Sequence, residues 1–112
     1  MTLSEIMELL SAKAYTELFD NNMVIERCRA SDLLSDVLVN PAENSILLTG
    51  LVNPQVIRTA EMMDIKVVVL VRDKQPTMEM IKLAAENNIT LLGTHHKLFI
   101  GCGLLYGQGL RD

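Results

Sequence analysis

The stretch Ile65-Lys66-Val67-Val68-Val69-Leu70-Val71 decides the fold predicted for this chain of 112 residues. Every residue in it except Lys66 is apolar, and most are β-branched. A run of this kind is typical of a strand whose two faces are both buried. Such strands lie in parallel sheets that are covered by helices on both sides.

The segments on either side of this strand alternate between helix and strand patterns. The predicted elements are, in order, a helix over 3–10, a strand over 23–29, a helix from Ser31 to about Asn40, a strand over 45–49, a helix from Pro54 to about Asp64, the strand over 65–71, a helix from Pro76 to about Asn87, a strand over 89–92 and a helix over 95–106. This order predicts an α/β fold, a three-layer α/β/α sandwich with a small, largely parallel sheet. Residues 1–112 are expected to form a single domain.

The charge balance excludes two classes of partner. Acidic residues outnumber basic ones by 14 to 10, which gives a net charge of −4. Proteins that bind nucleic acid or an anionic membrane surface normally carry a basic patch, whereas the Lys and Arg residues here are scattered. Nor does any uncharged apolar stretch reach the length of about 18 residues that a membrane span needs. We expect neither nucleic acid nor a membrane as a partner.

The cysteines and the first residues indicate a cytoplasmic protein. Cys28 and Cys102 are too few for a disulfide framework, so they are predicted to be free, buried thiols in a reducing compartment. The segment from Met1 to Glu5 lacks the basic residues and the long apolar run of a signal peptide.

Polar side chains follow each predicted parallel strand at its carboxyl end, the edge at which ligands bind in open α/β sheets. Because the ends of parallel strands meet at one edge, these side chains are expected to lie close together. The candidate ligand-binding residues are Arg29, Ser31, Asp32, Thr49, Asn53, Arg72 and Thr94.

The chemistry of this set favours an anion. The two arginines supply positive charge, the two threonines supply hydroxyl donors, and Ser31 and Asn53 stand where free N–H groups of helix N-termini favour negative charge. The alternative is that Ser31, Asp32, Asn53 and Thr94 only cap helices, because these residue types are preferred N-caps.

Two other patterns carry weaker chemistry. His95-His96 resembles a metal ligand pair or a general base, with Cys102 as a further ligand, but adjacent histidines at a strand end usually point different ways. The glycine-rich run from Gly101 to Gly109 has the spacing G-x-G-x-x-x-G-x-G, which does not match the dinucleotide fingerprint. No metal, cofactor or catalytic residue is predicted.

Several short motifs resemble the DRTGG domain family, and together they cover the chain from about Leu3 to Tyr106. They are the segment 30–38, Leu47-Leu48-Thr49-Gly50 followed by Asn53, the strand from Val68 to Arg72, Pro76 before a helix, Ala84, the segment 89–94, and a last helix from Phe99 to Tyr106. Their order and spacing carry the resemblance. The chain departs from the family at the signature itself, where Glu26-Arg27-Cys28-Arg29-Ala30 stands in place of Asp-Arg-Thr-Gly-Gly.

The resemblance implies a three-layer α/β/α domain related to the N-terminal domain of HPr kinase/phosphorylase, whose catalytic machinery lies in another domain. DRTGG domains occur beside CBS domains in regulated enzymes and in phosphate acetyltransferases, where they resemble regulatory or dimer-forming parts. Small stand-alone relatives occur among genes for iron-only hydrogenases in anaerobic bacteria. The resemblance therefore implies a regulatory role and a homodimer.

Together these observations predict a non-catalytic regulatory module that senses a small anionic metabolite, with an adenine nucleotide as one candidate, at the strand carboxyl ends. The alternative is an interaction module without a small ligand, which forms a homodimer or docks to a larger enzyme or signalling protein, including one associated with hydrogenase. A third hypothesis is a small enzyme that uses His95 or His96, for which the sequence supplies no nucleophile.

Overall fold

The computed structural model describes residues 1–17, 20–40 and 43–112 of the chain. Within these ranges it contains five strands and five helices. The strands are β1 (Lys13–Ala14), β2 (Arg27–Ala30), β3 (Ser45–Thr49), β4 (Val67–Leu70) and β5 (Thr90–Gly93). The helices are α1 (Leu3–Leu10), α2 (Leu34–Val37), α3 (Pro54–Met62), α4 (Met78–Glu86) and α5 (Leu98–Gly107). The predicted α/β class is confirmed.

The strands form one sheet in the order β1-β5-β4-β3-β2. Strands β2 to β5 are parallel, as predicted, and β1 pairs antiparallel with β5 through Lys13 opposite Gly93 and Ala14 opposite Leu92. Strand β1 is absent from the sequence prediction, because two residues are too short to show an alternating pattern. It places the segment after α1 at the carboxyl end of β5.

Helices cover both faces of the sheet and complete the predicted three layers. Helices α1 and α5 pack against the face that carries Ile46 and Val67, and α2, α3 and α4 pack against the face that carries Leu47 and Val68. Successive strand residues point to opposite faces, and every residue of β3, β4 and β5 is buried. Each fully buried aliphatic side chain stabilises the fold by roughly 1.5–3 kcal/mol relative to exposure.

The predicted starts of α1 and α3 are confirmed by their caps. The hydroxyl of Thr2 accepts a hydrogen bond from the Glu5 N–H (3.2 Å), and the Glu5 carboxylate accepts one from the Thr2 N–H (3.0 Å). Asn53 caps α3 and Pro54 occupies its first position. Helix α4 is capped by Thr77. These local signals fix where the loops at the carboxyl edge end.

Strand β2 begins at Arg27 rather than at residue 23, because the residues before it bond to the start of α1 instead. The Leu3 N–H donates to the Met23 carbonyl (2.9 Å), and the Ile25 N–H donates to the Met1 carbonyl (2.7 Å). The backbone groups that would extend β2 are therefore already used.

Helix α2 is a single turn, Leu34–Val37, where a longer helix from Ser31 is predicted. The Ser31 hydroxyl accepts a hydrogen bond from the Leu33 N–H (3.0 Å) and so forms a turn ahead of the helix. Only Val37 of the predicted apolar face is fully buried. The helix is predicted to stop at Asn40-Pro41, of which Pro41 lies outside the described residues.

Helix α5 begins at Leu98 rather than at His95 and runs to Gly107. Its residues are apolar on every side, which is normal only for a helix that is covered all round. Yet Phe99, Tyr106 and Ile100 are 84%, 62% and 45% exposed. Helix α5 therefore carries an apolar face without a neighbour among the described residues. None of the described helices is both long enough and apolar enough to cross a membrane.

Candidate functional site

The loops that follow β2, β3, β4 and β5 lie along one edge of the sheet, because these four strands are parallel. At the centre of this edge four residues from three loops come together, and we call them the edge cluster: Asp32, Thr49, Gly50 and Arg72. Three of them are among the predicted site residues.

Asp32 joins the loop after β2 to the end of β3. Its Oδ1 accepts a hydrogen bond from the Gly50 N–H (2.6 Å) and another from the Thr49 hydroxyl (3.1 Å). The Thr49 hydroxyl oxygen in turn accepts one from the Leu51 N–H (3.1 Å). Asp32 is exposed and does not cap a helix, and its second oxygen receives no hydrogen bond from the described residues.

Arg72 folds over Gly50 from the end of β4. A Cβ added to Gly50 would lie 3.3 Å from Arg72 Nη2 and 3.5 Å from each carboxylate oxygen of Asp32. Because Gly50 has no side chain, the Arg72 guanidinium and the Asp32 carboxylate can both lie close to its Cα. Arg72 is exposed and forms no ion pair with the residues that the structure describes.

The backbone holds Arg72 in place. Arg72 and Asp73 both have left-handed conformations, with φ of 58° and 57°, which non-glycine residues seldom adopt. The Arg72 N–H donates to the His96 carbonyl (2.8 Å) and the Asp73 N–H donates to the Thr94 carbonyl (3.0 Å). These bonds connect the loop after β4 to the loop after β5.

Ser31 and Asn53 lie at the same edge but are engaged in local bonds. Asn53 accepts a hydrogen bond from the Gln55 N–H (2.8 Å) as the cap of α3, and Ser31 forms the turn before α2. Asn53 thus has the capping role that the sequence left open beside ligand binding, whereas Ser31 does not cap α2, because Leu33 stands at the N-cap.

Thr94 and Arg29 do not reach the edge cluster. Thr94 is buried, and its hydroxyl donates to the Leu10 carbonyl (2.6 Å), which ties the end of β5 to the end of α1. Arg29 is buried too: its Nη1 donates to the carbonyls of Val37 (2.9 Å) and Asn40 (2.7 Å), and Nη2 lies 3.0 Å from Asp112 Oδ1. Arg29 lies inside a regular strand, β2.

The two histidines follow β5 at the same edge. Their ring centroids are 4.1 Å apart with an angle of 36° between the planes, so the rings lie side by side rather than apart as expected. Within the described ranges, no three His, Cys, Asp or Glu side chains come together in a way that could hold a metal ion.

A cavity of about 240 Å³ lies at the same edge, between β1, the end of β5 and the loop after β4. We call it the β1 cavity; its lining includes Ser11, Lys13, Tyr15, Lys74 and His95. The sequence prediction missed the first four of these residues. The cationic and aromatic residues of Lys13-Ala14-Tyr15 alternate, but their position beside β5 depends on a pairing that no local pattern reveals.

Both cysteines are free thiols that line an apolar groove of about 400 Å³ between β2 and α5. Burial raises the pKa of the Cys28 thiol to about 12, with a further contribution from Cys102. Burial also raises the pKa of the Cys102 thiol. A raised pKa leaves little thiolate at neutral pH, which makes either residue a poor nucleophile.

An open, mainly parallel sheet with polar loops at its carboxyl edge defines a class of α/β domains that present a ligand site there. The chain is similar to the crystal structure of the CBS and DRTGG domains of the regulatory region of Clostridium perfringens pyrophosphatase, complexed with the activator diadenosine tetraphosphate. The TM-score is 0.78 and the sequence identity 21%. The chain therefore has a DRTGG-type fold, as the sequence motifs predicted.

This likeness covers 93% of the chain and 45% of the pyrophosphatase chain, so the protein spans less than half of its structural neighbour. No protein-family model matches the sequence, and no curated protein matches it either.

Proposed function

We propose that this domain is a non-catalytic regulatory module that binds a small anionic metabolite, of the adenine nucleotide class, at the carboxyl edge of its sheet. It acts in the cytoplasm, where both thiols stay reduced. The observation that carries the proposal is the Arg72 guanidinium, which is exposed, lies over a residue without a side chain and forms no ion pair among the described residues.

The edge cluster offers complementary groups to such a ligand. A guanidinium binds a phosphate through two parallel N–H donors, which gives both charge and orientation. The free oxygen of Asp32 accepts hydrogen bonds, and a carboxylate at this place in open α/β sheets suits a ribose hydroxyl. A nucleotide supplies both partners at once, whereas inorganic phosphate uses only Arg72 and is repelled by Asp32.

The comparison with a known structure also supports this assignment. The structural neighbour is described as a regulatory region in complex with an activator that is a nucleotide, which supports the nucleotide class for a domain of the same fold.

The test is thermal unfolding of the protein against a panel of adenine nucleotides, other nucleotides and acyl phosphates. A ligand at about 100 times its dissociation constant adds roughly 2.7 kcal/mol to the free energy of unfolding. For a domain of this size the melting temperature then rises by about 10 °C. We expect such a shift from at least one nucleotide.

The Arg72→Ala variant separates site binding from general charge effects. It should remove the shift, while Arg58→Ala, which deletes an exposed arginine on α3, should keep it. Both variants should melt within about 2 °C of the wild type without ligand, because exposed substitutions rarely change stability by more than about 0.5 kcal/mol. An unchanged nucleotide shift in Arg72→Ala would contradict the proposed site, and a flat panel would contradict nucleotide sensing.

The exposed face of α5 favours a second function, homodimerisation. Phe99 and Tyr106 lie about two turns apart on the same side of the helix, and they form one border of the groove that contains Cys28 and Cys102. Exposed apolar surfaces of this kind mark interaction sites in soluble proteins. A second copy of the chain would cover Phe99 and Tyr106 together.

Sedimentation of the wild type over a range of concentrations tests this second function. We expect a dimer that Phe99→Glu converts to a monomer. The matched control is Met78→Glu, which places the same charge at a methionine that is 79% exposed on α4, on the other side of the sheet. A wild type that stays monomeric at high concentration would exclude the homodimer and leave docking to a larger protein as the alternative.

A further inference from the structure

The β1 cavity has a lining of the opposite charge to the protein as a whole. Lys13 and Lys74 contribute two ammonium groups against the single carboxylate of Asp73, although the chain carries a net charge of −4. Four larger cavities elsewhere on the described part of the chain are neutral or acidic. A local reversal of charge within a concave site concentrates anions there.

Tyr15 forms a wall of this cavity, and the absence of a side chain at Gly93 makes room for it. A Cβ added to Gly93 would lie 2.7 Å from Tyr15 Cε2 and 3.4 Å from the Tyr15 hydroxyl oxygen. The ring therefore packs directly against the backbone of β5. Lys13 Nζ lies 5.2 Å from the ring centroid, within the range of a cation–π contact. The ammonium group is thus held beside the cavity.

The other side of the cavity is held by backbone contacts that connect three elements. Thr94 bonds to the Leu10 carbonyl at the end of α1, and Ser11 follows in a left-handed conformation with φ of 50°. The Lys74 N–H donates to the Val71 carbonyl (3.1 Å), which closes the loop after β4. Lys13 and Lys74 therefore lie on two separate elements, and both line the cavity.

The β1 cavity and the edge cluster lie on the same edge of the sheet. Arg72 projects over the end of β3, and Lys13 stands on β1, three strand positions away in the sheet order. Adjacent strands are about 4.8 Å apart, so β3, over which Arg72 lies, and β1, which carries Lys13, are separated by roughly 14 Å along the edge. A single phosphate is too small to contact both, whereas an extended polyphosphate chain can reach from one to the other.

We propose that the β1 cavity is a phosphate subsite, and that the ligand of the carboxyl edge is a polyphosphate compound whose terminal phosphate binds Lys13 and Lys74. This inference rests on the proposed function, since it assigns the other end of the ligand to Arg72. The Tyr15 hydroxyl donates a hydrogen bond to the same phosphate. Asp73 reduces the net positive charge of the subsite.

The test compares adenosine monophosphate, adenosine triphosphate and inorganic triphosphate by isothermal titration calorimetry. For the wild type we expect the triphosphate of adenosine to bind at least tenfold more tightly than the monophosphate. In the double variant Lys13→Gln/Lys74→Gln this advantage should fall below twofold, while the affinity for the monophosphate changes by less than twofold. The Lys66→Gln/Lys82→Gln variant removes two exposed ammonium groups elsewhere and should keep the full advantage.

The possible failures are distinguishable. If Lys13→Gln/Lys74→Gln binds both nucleotides like the wild type while Arg72→Ala binds neither, the phosphate subsite is wrong and the proposed function stands. If Lys66→Gln/Lys82→Gln loses the advantage to the same extent, the effect is one of net charge and the subsite is also wrong. If the wild type binds none of the three compounds, both proposals fail.

Discussion

Arg29 and Asp112 meet across 83 residues of sequence, with Nη2 and Oδ1 3.0 Å apart and Nε and Oδ1 3.1 Å apart. The Nη1 group of Arg29 donates to the carbonyls of Val37 and Asn40. One buried side chain thus links β2, the end of α2 and the segment after α5. Its role in this arrangement is structural.

Replacing Arg29 should therefore affect stability. We expect Arg29→Met to lower the free energy of unfolding by about 2–4 kcal/mol, because two carbonyls and one carboxylate lose a charged donor. Asp112→Asn should cost under about 1 kcal/mol, since the Asp112 side chain is 64% exposed and water replaces it. Urea denaturation measures both. Equal, small losses would show that the buried guanidinium contributes little to the fold.

The contrast between Arg29 and Asn53 shows which features can be predicted from sequence. Asn53 and Pro54 act within one helical turn, so their role follows from adjacent residues. The partner of Arg29 lies 83 residues away in the sequence. From the sequence alone, an arginine that precedes a loop fits a ligand-binding role as well as a structural one. Arg72 was predicted at the edge because the end of a buried strand is a local signal. The placement of Lys13 and Tyr15 at this edge depends instead on the long-range pairing of β1 with β5.

Gly93 and Gly103 form a matched pair for testing the contact between β5 and Tyr15. Gly93→Ala should destabilise the protein by about 1–3 kcal/mol, because the new Cβ would come within 2.7 Å of the Tyr15 ring. Gly103→Ala meets no atom within 4 Å and should stabilise the protein by up to about 1 kcal/mol through helix propensity. Melting temperatures measure both changes. Equal behaviour of the two variants would mean that Tyr15 moves away without cost.

The hydroxyl of Thr90 is buried and finds no hydrogen-bond partner among the described residues. Thr90→Val keeps the shape and the β-branched character of the side chain and removes the unsatisfied polar atom. We expect the free energy of unfolding to rise by about 1 kcal/mol, which corresponds to a melting temperature about 4 °C higher. A lower melting temperature would indicate that the hydroxyl has a partner in solution, such as a buried water molecule.

Cys28 should make the protein less stable as the pH rises above 9. The unfolded thiol loses its proton near its ordinary pKa of 9.0, whereas burial keeps the folded thiol protonated up to about pH 12. Unfolding in this range releases a proton, so the free energy of unfolding falls with pH by at most about 1.4 kcal/mol per pH unit. Stability measured from pH 8 to 10.5 should decline less steeply in Cys28→Ala. Parallel curves would show that Cys28 is not protected by burial.

The bonds that attach α1 and β1 to β5 join distant parts of the chain. The Leu91 N–H donates to the Thr16 hydroxyl across 75 residues, and Thr94 bonds to Leu10 across 84. Contacts of such long sequence separation form late, because the loop between them must first be closed at a cost in entropy. During synthesis the first helix can therefore complete its contact with β5 only after β5 has left the ribosome. Since the β1 cavity exists only after this docking, the emerging chain acquires it at the end of folding.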